Sequence, residues 1–184
     1  RWQPYLIEFS DEVMREKVLF MTRLLEETFQ TKMLSHRAGR WAFDSRYARL
    51  LIELGYQVDC SVTPRVNWRN AKGAPQGNGG TNYQHFPDHA YFIDTDDISR
   101  AGNSPLLEVP MSIQYKHPAW LNTVKQGYDR LRGKYRSPSV NWLRPSGGNA
   151  SQMIQVAQQC LSQGHDYVEF MLHSSEFMPG GSPT

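Results

Sequence analysis

Long hydrophobic runs are missing from this chain. No stretch of its 184 residues approaches the roughly 20 consecutive apolar residues of a membrane span. Charge of one sign is missing too. Twenty Lys and Arg against 18 Asp and Glu leave a net charge of +2, too balanced for nucleic acid to be the main partner. Cysteine is scarce. Cys60 falls in a predicted strand and Cys160 on the apolar face of a predicted helix. Neither has zinc-like spacing, and two cysteines make no disulfide framework. Two buried thiols point to a reducing compartment. Aromatic residues, by contrast, are plentiful. Five Trp and nine Tyr suit a carbohydrate-facing cleft, where flat rings pack on sugar faces, and suit an aromatic core equally well.

The length fits a single domain, residues 1–184, with a sizeable core. Ser10 caps a predicted helix to about residue 30, with Asp11 and Glu12 in its first turn and Val13, Lys17, Met21, Leu24, Leu25 and Phe29 inward. A short strand, Met33 to Arg37, follows. A second helix starts near Asp44, turns Tyr47, Leu50, Leu51 and Leu54 inward, and stops at Gly55. A strand then runs from Tyr56 to Val62. Residues 65–104 form a glycine- and asparagine-rich excursion with little regular structure, and loops of that length are usually functional or disordered.

Further strands are expected at Leu106–Ile113, where Pro110 suggests an edge, at Asn141–Pro145, and at Asp166–Ser175. Helices are expected at Pro118–Gly133 and from Asn149 or Ser151 to Ser162, the latter burying Met153, Val156, Ala157, Cys160 and Leu161. Alternation of this kind implies parallel strands covered by helices. The chain opens with Arg1 and has no helix after its last strand, so part of a longer protein is expected.

Ligands of α/β proteins bind at the C-terminal ends of strands. His173 ends the last predicted strand, where an imidazole serves as a general acid or base, or simply caps the strand. Arg37 ends an earlier one, where a guanidinium can grip a carboxylate in bidentate fashion or form a structural salt bridge. His36, one residue earlier, should point to the opposite face. His85 and His89 have a metal-like spacing, but Pro87 between them favours a surface loop. His117 and His165 flank helices, and Glu169 is read as structural.

Ser35-His36-Arg37-Ala38-Gly39-Arg40, followed by a helix and Leu54-Gly55-Tyr56-Gln57-Val58-Asp59-Cys60-Ser61-Val62-Thr63-Pro64, resembles the polysaccharide deacetylases of the NodB-homology type, carbohydrate esterase family 4. Arg37-Ala38-Gly39 stands for the family's Arg-x-Pro, with glycine in place of proline. Phe170-Met171-Leu172-His173 is similar to its Leu-x-x-His, with the leucine next to the histidine. The tail from Leu172 to Pro183 and Leu106-Leu107-Glu108-Val109-Pro110 resemble a subgroup found with lipopolysaccharide and O-antigen biosynthesis.

The resemblance implies a distorted (β/α) barrel of the NodB type, incomplete here, and metal-dependent removal of acetyl from an N-acetylated sugar in a bacterial cytoplasm. A divalent metal, often zinc, would polarise the amide carbonyl and activate a water. By resemblance His173 would protonate the leaving amine, Arg37 would hold the base aspartate, and Asp59 would tune the histidine. Leu172, Trp41 and Glu108 would meet the sugar. The family's fuller pattern, Asp-x-x-Asp-Trp, departs here to Val62 and Thr63.

The Thr-Phe-Asp-Asp and His-x-x-x-His motifs that supply the base and the metal ligands do not occur before Arg37. The metal is therefore expected mainly on residues outside this chain. The alternative is a catalytically degenerate carbohydrate-binding domain of the same fold. A glycosidase using Asp59, Glu108 or Glu169 is a third reading, and it requires two carboxyl groups across a cleft.

Overall fold

In the computed structural model, residues 3–132, 138–173 and 178 are described. The chain has a mixed α/β architecture, and the expected single domain divides into two compact units. The first comprises residues 1–63 and 67–110, the second residues 64–66 and 111–184.

The first unit holds α1 (Asp11–Phe29), β1 (Ser35–His36), α2 (Ser45–Glu53), β2 (Val58–Asp59), β3 (Tyr91–Phe92) and β4 (Leu107–Glu108). Its sheet has the order β1-β2-β4-β3. The first two pairings are parallel and β3 joins β4 antiparallel. No closed barrel is seen among the described residues. α2 begins where Asp44 accepts the Tyr47 amide through Oδ1 at 2.9 Å, and a left-handed Gly55 (φ +82°) follows it. Arg46 ties its start to that of α1, donating to Asp11 Oδ1 at 2.7 Å and to the Ile7 carbonyl at 2.7 Å. The core gathers Met14, Val18, Phe43, Tyr47, Leu50, Leu51, Tyr56, Tyr91, Ile93 and Leu106.

Several expectations change. α1 has the expected length but not the expected face. It buries Met14, Val18 and Thr22 and leaves Val13, Met21, Leu24 and Phe29 exposed. The helix carries apolar residues around more than half its girth, so periodicity alone does not choose the stripe. Thr22 settles it locally, with a hydroxyl that reaches the Val18 carbonyl at 2.8 Å and the Tyr56 hydroxyl at 2.7 Å. The strand expected over Leu106–Ile113 is two. Pro110, which has no amide hydrogen for a ladder, separates β4 from β5 (Ile113–Tyr115). Nor is β4 an edge strand, since it lies between β2 and β3.

The second unit pairs β5 antiparallel with β6 (Val140–Trp142) and adds α3 (Ala119–Leu131) and α4 (Ala150–Ser162). Val156 and Cys160 of α4 are buried with Leu143, while Leu161 points to solvent. No ladder forms over the described part of the strand expected at Asp166–Ser175, whose last two residues lie outside the described set. The Glu169 amide donates to Ser112 Oγ at 2.8 Å and the Met171 amide to the Leu143 carbonyl at 3.1 Å. A side-chain acceptor thus replaces one main-chain partner. Among the described residues no helix is long and apolar enough to cross a membrane.

Candidate functional site

β1 and β2 run parallel, with His36 opposite Asp59. Both strands therefore end at the same level, and the in-register side chains face each other. The Asp59 carboxylate is fully buried. Its Oδ1 accepts from His36 Nδ1 at 2.6 Å and from the Ser61 hydroxyl at 2.9 Å, and its Oδ2 accepts from the Ser61 amide at 2.9 Å. Ser61 Oγ in turn accepts the Ala38 amide at 2.8 Å. On the other side of the ring, His36 Nε2 is hydrogen-bonded to the Tyr47 hydroxyl at 2.7 Å. The Tyr47 and Tyr56 rings meet the imidazole edge-on, with centroids 4.9 and 5.8 Å from it. Burial, reinforced by the negative charge of Asp59, pushes the Tyr47 hydroxyl far above its ordinary range, so it keeps its proton.

This network brackets Arg37. The residue before it is tied to Asp59 and the residue after it to Ser61. Arg37 itself is exposed and does not pair with Asp59. Its guanidinium lies over the Trp41 ring at 5.4 Å. The turn Gly39–Trp41 that follows carries two consecutive left-handed residues, Arg40 (φ +55°) and Trp41 (φ +59°). The excursion holds this turn. The Tyr83 hydroxyl, itself fully buried, donates to the Trp41 carbonyl at 2.6 Å, and Thr81 Oγ1 donates to the Phe43 carbonyl at 2.7 Å.

The remaining sequence candidates separate. Glu108 is fully buried on β4, and its Oε1 accepts the Val62 amide at 2.9 Å. That placement corrects the expectation that it meets sugar, because it fixes the chain leaving β2. A glycosidase pair built on Asp59 and Glu108 is likewise disfavoured, since both carboxylates sit inside the sheet rather than across an open cleft. Leu172, half-buried, and His173, exposed, belong to the second unit, as does Glu169.

His36 is the residue that sequence reasoning passed over. Alternation does send it to the face opposite Arg37, but that face carries Asp59, and only the register of β1 on β2 reveals the pair. Among the described residues no group of three or more His, Cys, Asp or Glu could hold a metal ion. His85 and His89 are exposed, and His89 lies 3.5 Å from the neighbouring Asp88. The described residues therefore do not fit a resident metal.

The sequence matches no described protein family, and no curated protein matches it. Among solved structures it is similar to a crystal structure from Mycobacterium smegmatis provisionally assigned as a polysaccharide deacetylase, with 15% sequence identity and a TM-score of 0.39. The match covers 92% of this chain and 63% of that one, so the chain spans less than two thirds of that protein's length. A likeness this distant assigns neither family nor activity.

Proposed function

We propose that the chain is part of a polysaccharide deacetylase-like hydrolase that removes acetyl from an N-acetylated sugar in surface-polysaccharide synthesis of the O-antigen type. One observation carries the reading. Of the two stretches that resemble the deacetylases, Arg37–Gly39 directly follows β1 and Leu54–Pro64 contains β2, its parallel neighbour, and the two are bound together through His36–Asp59 and Ala38–Ser61. Ligand sites of α/β folds lie outside such strand ends. In this reading the sheet belongs to a distorted (β/α) barrel.

Arg37, whose guanidinium lies over the Trp41 ring, offers its N–H edges to the carboxylate of a base aspartate. His173 supplies the proton that the amine takes as the C–N bond breaks. Trp41 and Leu172 pack against the sugar. Asp59, buried and engaged by His36, acts by positioning the Arg37 turn. The divalent metal, zinc by resemblance, would be held mainly by residues outside this chain.

A second reading, a carbohydrate-binding domain of the same fold that has lost the metal, accommodates the same lack of a ligand cluster among the described residues. Elemental analysis of the full-length protein separates the two. About one tightly held divalent ion per chain, retained after His173→Ala, is expected for the hydrolase. No metal under any condition selects the binding domain.

A further inference from the structure

Three features of the Arg37–Trp41 turn bear on ligand binding. First, Arg37 and Arg40 are both exposed and meet no carboxylate among the described residues. Among the other described arginines of the same unit, Arg15, Arg46, Arg49 and Arg100 meet carboxylates, while the exposed Arg23 and Arg69 do not. Second, the turn's one glycine stands at neither left-handed position. Arg40 and Trp41 occupy those, at a cost on the order of 1–3 kcal/mol each. A basic residue kept only for solubility needs no such backbone. Third, Gly39 needs no glycine for packing. Its φ is not positive, and a Cβ added there would meet nothing within 4 Å. The missing side chain leaves open surface over the backbone between the two arginines. Glycine is favoured where a ligand approaches a backbone closely.

We propose that this turn is a subsite for an acidic sugar, with a carboxylate or phosphate substituent held by Arg40 over the open backbone at Gly39 and the sugar ring packed on Trp41. Guanidinium groups match both anions in bidentate geometry, and tryptophan faces suit sugar rings. The inference rests on the sugar-substrate reading and narrows it from N-acetylated sugars in general to those that carry an acidic group.

The test is calorimetric titration of the full chain with three probes: a disaccharide of N-acetylglucosamine and glucuronic acid, N-acetylglucosamine 1-phosphate, and neutral chitobiose. One acidic probe or both should bind about tenfold more tightly than chitobiose, as one charge-assisted contact confers. Which of the two does so distinguishes carboxylate from phosphate. Arg40→Gln should abolish the preference. Gly39→Ala should weaken the acidic probe by a similar factor with an unchanged melting temperature, a result that a purely structural glycine does not give. Equal binding of all three probes, no binding of either acidic probe, or indifference to both substitutions overturns the subsite. Acetate release from neutral N-acetylated oligosaccharides is scored separately, so the hydrolase reading can stand when the subsite falls.

Discussion

The imidazole of His36 decides what Asp59 does. A carboxylate with no exposed surface, engaged by an imidazole, a hydroxyl and an amide, is committed to holding two strand ends together. Asp59→Ala leaves His36 and Ser61 without their acceptor and is expected to cost about 3 kcal/mol in urea unfolding. Asp59→Asn, which keeps an acceptor, should cost less. A loss under about 1 kcal/mol for Asp59→Ala contradicts the clamp.

Tyr47 adds a pH dependence. Its hydroxyl is raised above the ordinary value of 10.0 by burial first and by Asp59 second. The folded chain then binds a proton that the unfolded chain has released. This contribution is complete below about pH 10 and declines as pH rises toward the folded value. Urea midpoints should therefore fall above about pH 10, and Tyr47→Phe should reduce that fall. An identical decline in the variant rules out Tyr47 as a source.

Among the elements, those framed by local chemistry were legible in the sequence. Asp44 and Gly55 delimit α2, and Gly164 (φ +81°) follows α4, each near its expected position. Elements defined by partners were not. β3 lies inside a stretch whose composition reads as loop, and it exists because Tyr91 and Phe92 pair with Glu108 and Leu107. The run Tyr167–His173 has the composition of a strand but no ladder among the described residues. The pairing of His36 with Asp59 depends on register, which no local pattern encodes.

The excursion, by contrast, is a support with defined contacts. Gly79 is left-handed (φ +78°), and a Cβ there would overlap the Arg69 carbonyl oxygen. Gly79→Ala should destabilise the first unit by more than about 1 kcal/mol. Because Thr81 and Tyr83 hold the Arg37–Trp41 turn, the same substitution should also perturb the amide resonances of Arg40 and Trp41 in NMR spectra. Unshifted resonances would detach the excursion from the site.

At the scale of the whole molecule, the candidate groups are divided between two compact units. Arg37, Trp41 and Asp59 lie in the first, His173 and Leu172 in the second. The hydrolase account assigns a role to residues of each unit, and catalysis reads those roles out where stability does not. The most direct measurement is acetate released from an N-acetylated oligosaccharide by the full-length protein supplied with zinc, beside its Arg37→Ala and His173→Ala variants. The account predicts acetate release by the parent and a loss of at least about 100-fold in each variant, the scale of a missing general acid or a misplaced base. No acetate from the parent, or variants as active as the parent, would contradict it.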